Sequence, residues 1–317
     1  VMSIVSFAKE SKDYKKEWQE RIDAYNSYIE DKRKVIEESR ANELRIRNLI
    51  YESLENSIHE VNAFGKRLFE RTQEDKDFLQ IYLGRGRVES SNPVIYNKQE
   101  FADLEDPLAK VPEEVAESYR YIENAPIISD MNVSCGIGVV GSKTILEQIL
   151  KNMTLDISIR HFYNEVKMVY ILSDDYVDRM RWVRWLHNVE NYRLDVKNIV
   201  CDVESKNVIL EDLYITLSMR ENALAASKEV KFNEQYVVFV TDAASISTHP
   251  VSKYIKECAQ YGFTFVFLEE YEEFLPQGCT EIIRIQDTAN GCILKSENGD
   301  VVSNFVFPTV SDEVSFR

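Results

Sequence analysis

The strongest constraint on this chain is the alternation that begins at Pro126, where short, continuously apolar runs are separated by longer amphipathic stretches. A strand that is apolar at every position must be covered on both faces. A helix-length connection returns the chain to the same end of the sheet, so successive strands run parallel. Strands are expected at 126–128, 135–140, 166–172, 198–201, 236–241 and 263–268, with helical patterns at 144–155, 175–187, 210–229 and 250–260. The pattern predicts an α/β fold, a mainly parallel sheet with helices on both faces. After Glu273 the style changes to the shorter runs CTEIIRI, GCILKS and VVSNFVF. These are expected to pair antiparallel at an edge, with Asn298-Gly299 as a hairpin turn.

Ahead of this region lies a different kind of sequence. Residues 8–75 contain no proline and only one glycine, Gly65. Steps of four and three from Trp18 meet Ile22, Tyr25, Ile29, Lys32, Ile36, Ser39, Glu43, Ile46 and Ile50, a mostly apolar seam of coiled-coil type among mixed charges. A continuous helix from Ser11 to Ser57 would reach about 70 Å at about 1.5 Å per residue. Nothing between Glu30 and Arg47 signals a turn, so an extended stalk is expected rather than a helical hairpin. The expected organisation is a helical stalk at 1–75 and an α/β domain at 76–317. Within the second part, a strand is expected at 78–83, punctuated by Gly84 and Gly86. A helix is expected from Val111, with Pro112, Glu113 and Glu114 in its first turn, ending near Glu123.

Charge narrows the function. The net charge is -16, from 38 Lys+Arg against 54 Asp+Glu. Residues 1–75 are close to neutral, with 14 Lys+Arg and 16 Asp+Glu, so the excess acidity belongs to residues 76–317. Nucleic acid is a poor partner for such a surface. No run of about 18 apolar residues is present, and the opening VMSIVSFAKES lacks the parts of a signal peptide. It starts at Val1 rather than Met and reads as an excised segment. The cysteines, Cys135, Cys201, Cys258, Cys279 and Cys292, are scattered, as are His59, His161, His187 and His249, and no metal site is expected.

The chemistry-bearing stretch is CGIGVVGSKTILE, from Cys135 to Glu147. Gly136, Gly138 and Gly141 match GxGxxG, but apolar residues fill the gaps, so the strand is expected to run through to Val140. Asp156 stands near the spacing of a ribose-binding acid, without a strand before it. The same stretch nearly matches a phosphate-binding loop. Ser142 is inserted before Lys143, and Leu146 stands where a second glycine is needed, whereas such a loop cradles phosphate with consecutive backbone N–H groups. Thr144 and Glu147 also have the spacing of a helix capping box. A second half-site is offered by YVVFVTD, ending at Asp242, which could hold Mg²⁺ or cap the next segment; Ala243 follows where a water-activating acid would stand. Asp174 and Asp175 have the same two readings. The candidate cofactor-binding residues are therefore Gly141, Lys143, Thr144 and Asp242, in a nucleotide site that reads as degenerate. Trp182 and Trp185 are expected to share a helix face in the core. No catalytic residue and no hydrolase, protease or kinase signature is found.

Four stretches carry a resemblance. They are Leu68 to Gly84 (LFERTQEDKDFLQIYLG), Ser118 to Pro126 (SYRYIENAP), Cys135 to Gly141, and Val166 to Val189 with Arg184-Trp185-Leu186-His187. In this order they resemble the EssC/EccC membrane ATPases of type VII secretion, relatives of FtsK/SpoIIIE, in the segment between the membrane helices and the motor domains. The family's W-L-P-H segment lacks its proline here. The resemblance implies a P-loop NTPase-like but degenerate, non-hydrolysing domain, first below the membrane on its cytoplasmic side. Such a domain couples the downstream motor domains of the same chain to the other subunits of the secretion membrane complex, in a homo-oligomer that is hexameric in the full protein. No cofactor is expected. The alternative implied by the family is an active domain that binds ATP and Mg²⁺ through an irregular loop.

Overall fold

The computed structural model describes residues 2–97, 108–200, 202–227, 230–295 and 301–310. Contacts divide the chain into one unit of Val1–Leu49 with Val88–Ala125 and another of Ile50–Arg87 with Pro126–Arg317.

The first unit is built on helix α1 (Met2–Ile50), which is uninterrupted from Glu30 to Arg47, where no turn was expected. It stops at Ile50, short of the expected Ser57, because Ser53 accepts the backbone N–H of Asn56 and starts a separate helix, α2 (Leu54–Ala63). Along α1 the seam changes character. Ile22, Tyr25, Ile29 and Ile36 are half-buried, then Arg40 and Glu43 take the buried positions. Arg40, Glu43 and Arg47 are spaced to share a face. The Arg40 guanidinium donates to the carbonyls of Tyr119 (2.8 Å) and Asn92 (2.8 Å). Glu43 accepts from the Ser90 hydroxyl (2.6 Å), the Ser91 N–H (2.9 Å) and Arg47 Nε (3.1 Å). The Tyr119 hydroxyl donates to Glu37 (2.6 Å). Tyr119 caps helix α3 (Val111–Ser118), which ends several residues before the expected Glu123.

Burial alone would raise the Glu43 pKa, but the bonds from Ser90, Ser91 and Arg47 outweigh it and hold the carboxyl below its ordinary value of 4.5. A depressed carboxylate pKa stabilises the fold above the unfolded pKa and loses that effect as pH falls through the folded one. Glu43→Gln is therefore expected to cost about 2–3 kcal/mol at neutral pH. Urea denaturation should show that difference shrinking as the pH drops below about 4.5.

The second unit holds most of a ten-stranded sheet. Strands β1 (Gln80–Glu89) and β2 (Tyr121–Asp130) each cross the unit boundary. The others are β3 (Gly136–Gly141), β4 (Val166–Ile171), β7 (Ile199–Val200), β8 (Gln235–Val240), β9 (Phe263–Glu269), β10 (Cys279–Ile285), β11 (Gly291–Lys295) and β12 (Val301–Val306), while β5 (Glu190–Asn191) and β6 (Val196–Lys197) form a separate ladder. The sheet order is β2-β1-β12-β11-β10-β3-β9-β8-β4-β7, and every pairing from β10 to β7 is parallel. Strands β3, β4 and β9 are buried along almost their whole length, as the apolar runs require.

One topological expectation is corrected. Strands β10, β11 and β12 do pair antiparallel, but they are not at an edge, because the sheet continues through β1 and β2. Arg85 and Gly86 pair with Val306 and Phe305. A Cβ on Gly84 or Gly86 would lie within 2.1 Å of the Val306 carbonyl oxygen or 1.9 Å of that of Asn304, so both glycines belong inside a strand. Asn298 and Gly299 lie outside the described residues.

Two expected helices are also replaced. The 175–187 pattern folds as a short helix α5 (Asp174–Val177) followed by 3-10 turns at Arg181–Trp185 and His187–Val189. Trp182 is buried, but Trp185 is 75% exposed, with the Arg184 guanidinium 4.9 Å from its ring. The 250–260 pattern becomes 3-10 turns at Pro250–Tyr254 and Cys258–Tyr261, closed by Gly262 at φ 70°. Helix α6 (Val203–Ala226) packs Leu210, Leu213 and Leu217 onto the face formed by Val169, Val238 and Phe265.

Helix α4 (Lys143–Arg160) is buried on nearly every side in its second half; Asn152 donates to the Pro308 carbonyl (2.8 Å), Thr154 bonds the Tyr170 hydroxyl (2.8 Å), and the charged residues at its end are engaged by the segment 50–87. Asp156 pairs with Arg160 (3.0 Å) and accepts the Tyr82 N–H (3.1 Å). Arg160 donates to the Glu52 carbonyl (2.7 Å) and to Ser57. Arg71 pairs with Asp77 and donates to the Ile50 carbonyl. The Leu79 N–H donates to His161 Nε2 (3.0 Å), so His161 is neutral and its other nitrogen, 3.2 Å from the Ile157 carbonyl, carries the proton. Burial holds that imidazole down to about 3. Asp156 is thus a core residue with no path to a ribose. Asp156→Ala would leave Arg160 buried without its partner, and chemical denaturation is expected to show a loss of about 3–5 kcal/mol.

Candidate functional site

In open parallel sheets ligands bind beyond the carboxyl ends of the strands, where the strand order reverses. Here the chain leaves β3, skips to β4, and returns through β8 and β9 into the gap. The carboxyl ends of β3 and β8 therefore flank that of β9, and the sequence-derived candidates all lie along this edge.

Strand β3 ends at Gly141 and α4 begins at Lys143, so Ser142 alone joins them, at φ -63° and ψ 155°. Ser142 is the N-cap, its carbonyl accepting the Leu146 N–H (2.9 Å), while its side chain makes no cap bond. The helix thus starts before Thr144, and the expected Thr144–Glu147 capping box is not what opens it. Glu147 is bonded instead by Arg179 at 3.4 Å. Gly141 has a packing reason to be glycine, since a Cβ there would lie 2.9 Å from the Ile285 carbonyl oxygen and 3.1 Å from Ile145. Among the described residues the only glycine with positive φ is Gly262. A one-residue connection has no run of loop N–H groups to ring a phosphate, so this junction does not fit a triphosphate held in the manner of a P-loop.

Lys143 and Asp242 each bond to a different partner. Lys143 Nζ pairs with Asp175 (2.8 Å) beyond the end of β4, and lies 5.9 Å from the Tyr176 ring. Thr144 is exposed. Asp242 caps helix α7 (Ala243–Ser247), accepting the Ser245 N–H (3.3 Å) and hydroxyl, and receives Lys206 Nζ at 3.0 Å. Burial works to raise its pKa, but the Ser245 and Lys206 bonds prevail and keep the carboxyl below its ordinary range. The next strand contributes Glu269, whose pKa is raised by burial and by the charges of Asp242 and Glu270. The Tyr176 hydroxyl is pushed up to about 12, first by burial and then by Glu270, Glu147, Asp175 and Glu269.

Sequence reasoning missed Lys206 and Glu269, because neither stands next to a motif. Only the strand order brings them to Asp242. The edge is an acidic ledge with two lysines, each already matched. No group of three or more His, Cys, Asp or Glu is placed to hold a metal among the described residues. No described helix is long and apolar enough to cross a membrane.

Fold and edge together define an α/β domain built on a largely parallel sheet. The chain is a homologue of the EssC and EccC proteins of type VII secretion. It is 26% identical over 302 residues to the type VII secretion system protein EssC of Staphylococcus aureus strain MSSA476, a match covering 94% of this chain and 20% of that protein. It is 27% identical over 295 residues to the ESX secretion system protein EccC of Geobacillus thermodenitrificans, covering 90% of this chain and 19% of that one. The chain thus spans about a fifth of the length of these curated relatives. Among solved structures it is similar to the cytoplasmic domain of the Thermomonospora curvata type VII secretion ATPase EccC, with TM-score 0.47 and 9% identity over 76% of this chain and 27% of that one. No protein-family model matches the chain.

The roles of Lys143 and Asp242 separate experimentally. Lys143→Ala removes an exposed ion pair and is expected to change stability by less than about 1 kcal/mol. Asp242→Ala removes a cap and frees Lys206, and is expected to cost about 1–2 kcal/mol. Thermal melts of the two variants beside the parent check the order.

Proposed function

We propose that this chain is a non-hydrolysing, ATPase-like module of a type VII secretion protein, on the cytoplasmic side of the membrane. In this reading its role is mechanical. The mostly helical segment at 1–75, led by α1, is a stalk toward the membrane subunits, and the α/β part at 76–317 receives motion from motor domains elsewhere in the same protein. Those motor domains and the oligomer they form handle the secreted proteins. The observation that carries the proposal is the one-residue connection at Ser142, where a phosphate-binding ATPase needs a loop. Two further features support it. Asp242 is engaged by Lys206 and Ser245, and Ala243 stands where a water-activating acid is required. The homology with EssC and EccC supplies the secretion context.

A nucleotide at 100 times its Kd stabilises a fold by about 2.7 kcal/mol. The expected result is an unchanged melting temperature with millimolar Mg-ATP, and no phosphate release by the purified chain. ATP turnover that Lys143→Ala abolishes would overturn the reading in favour of an irregular but working site.

A further inference from the structure

At the opposite end of the parallel strands lies a cavity of about 520 Å³, within the size range of small-molecule sites. It opens at the amino ends of β4 and β8, under the β5–β6 hairpin and beside the second half of α6. Lys167, Tyr192, Asn198, Arg220, Phe232 and Tyr236 are among its walls.

Its polar groups are matched, with one exception. Arg193 is bonded to Asp212 and to Thr216 (3.0 Å). Glu190 takes Lys197 (2.8 Å) and the Tyr192 hydroxyl. Asn191 donates to Asn198 (3.0 Å) and Asp212 (3.0 Å). Arg220 donates to the Tyr261 carbonyl (2.7 Å) and lies over the rings of Phe232, Tyr236 and Phe263. The Tyr236 hydroxyl donates to Glu234 (3.1 Å). Lys167 is different. It is 4% exposed, and its Nζ has no hydrogen-bond partner among the described residues. Its Nζ lies 5.0 Å from the Tyr192 ring, and the charges of Glu234 and Glu190 act on it without a hydrogen bond. A buried ammonium with unused donors is costly for a fold that gains nothing from it.

We propose that this cavity binds a small aromatic carboxylate, its carboxylate on the Lys167 ammonium and its ring among Tyr192, Phe232 and Tyr236. The aromatic walls supply a flat apolar surface for the ring. Glu190 and Glu234 line the same cavity and disfavour ligands with several negative charges, so phosphates and nucleotides are poor occupants. The site lies at the far end of the strands from Lys143 and does not depend on whether the ATPase-like edge is silent.

The test titrates benzoate, phenylacetate and indole-3-acetate into the full chain, with inorganic phosphate and ATP as counter-probes, by calorimetry and thermal melts. At least one aromatic carboxylate should bind and raise the melting temperature where phosphate and ATP do not. Lys167→Met should weaken that binding at least tenfold, and Lys143→Ala should leave it unchanged. Without ligand, Lys167→Met should melt at or above the parent, because a methionine fills the space without a charge to bury. The inference is overturned if no aromatic carboxylate binds at millimolar concentration or if phosphate binds equally well. It is also overturned if binding survives Lys167→Met, or if that variant melts well below the parent.

Discussion

Helix α4 is surrounded by protein along its second half, and this enclosure governs much of the second unit. A helix so placed has no water at its polar end, so Asp156, Arg160 and His161 must find partners inside the fold. The segment 50–87 exists in its observed form to supply them. It brings the Glu52 carbonyl and Ser57 to Arg160, the Tyr82 N–H to Asp156, and the Leu79 N–H to His161. Phe69 and Leu79 adopt left-handed backbone conformations, at φ 55° and φ 54°, to make the path. Each such conformation costs about 1–2 kcal/mol in a residue with a Cβ, and the hydrogen bonds around α4 are what hold them.

The LFERTQEDKDFLQIYLG stretch gains a physical meaning from this. Its arginine, Arg71, pairs with the second of its two aspartates, Asp77, as the chain wraps the end of α4. Its Asp-Phe-Leu delivers the backbone to His161, and its final glycine, Gly84, allows β1 to approach β12. The SYRYIENAP stretch works similarly in the first unit, where Tyr119 offers its carbonyl to Arg40 and its hydroxyl to Glu37. In both stretches these residues act as structural fasteners.

Continuous apolar runs leave few other solutions: five of the six became the parallel strands β3, β4, β7, β8 and β9, with the ranges of β3, β4, β8 and β9 within a residue or so of those expected, whereas the run at 126–128 lies in β2 beside β1 at the far edge. The proline-free N-terminal helix was legible for the same kind of reason. What periodicity could not supply was the lateral order of strands, since it says nothing about which neighbour a strand meets. That is why β10 to β12 were placed at an edge and Gly84 and Gly86 were read as punctuation. The 3-10 turns at 181–185 and 250–254 share helical spacing over short stretches, so pattern alone does not separate them from α-helix. At the candidate site the departures from the phosphate-binding-loop pattern at Ser142 and Leu146, and Ala243 after Asp242, were visible in the sequence. The partners of Asp242 and Lys143 were not, because Lys206 and Asp175 arrive from other strand–helix units.

The contact between Gly141 and the Ile285 carbonyl has an evolutionary corollary. With β3 pinned against β10 and the helix starting after one residue, exchanging side chains cannot create room for a phosphate cradle. Only inserting backbone at Ser142 would lengthen the connection, and the added residues would have to displace Lys143 from Asp175. In a lineage carrying this junction the connection lengthens by insertion of residues, a change that single-codon substitutions do not supply.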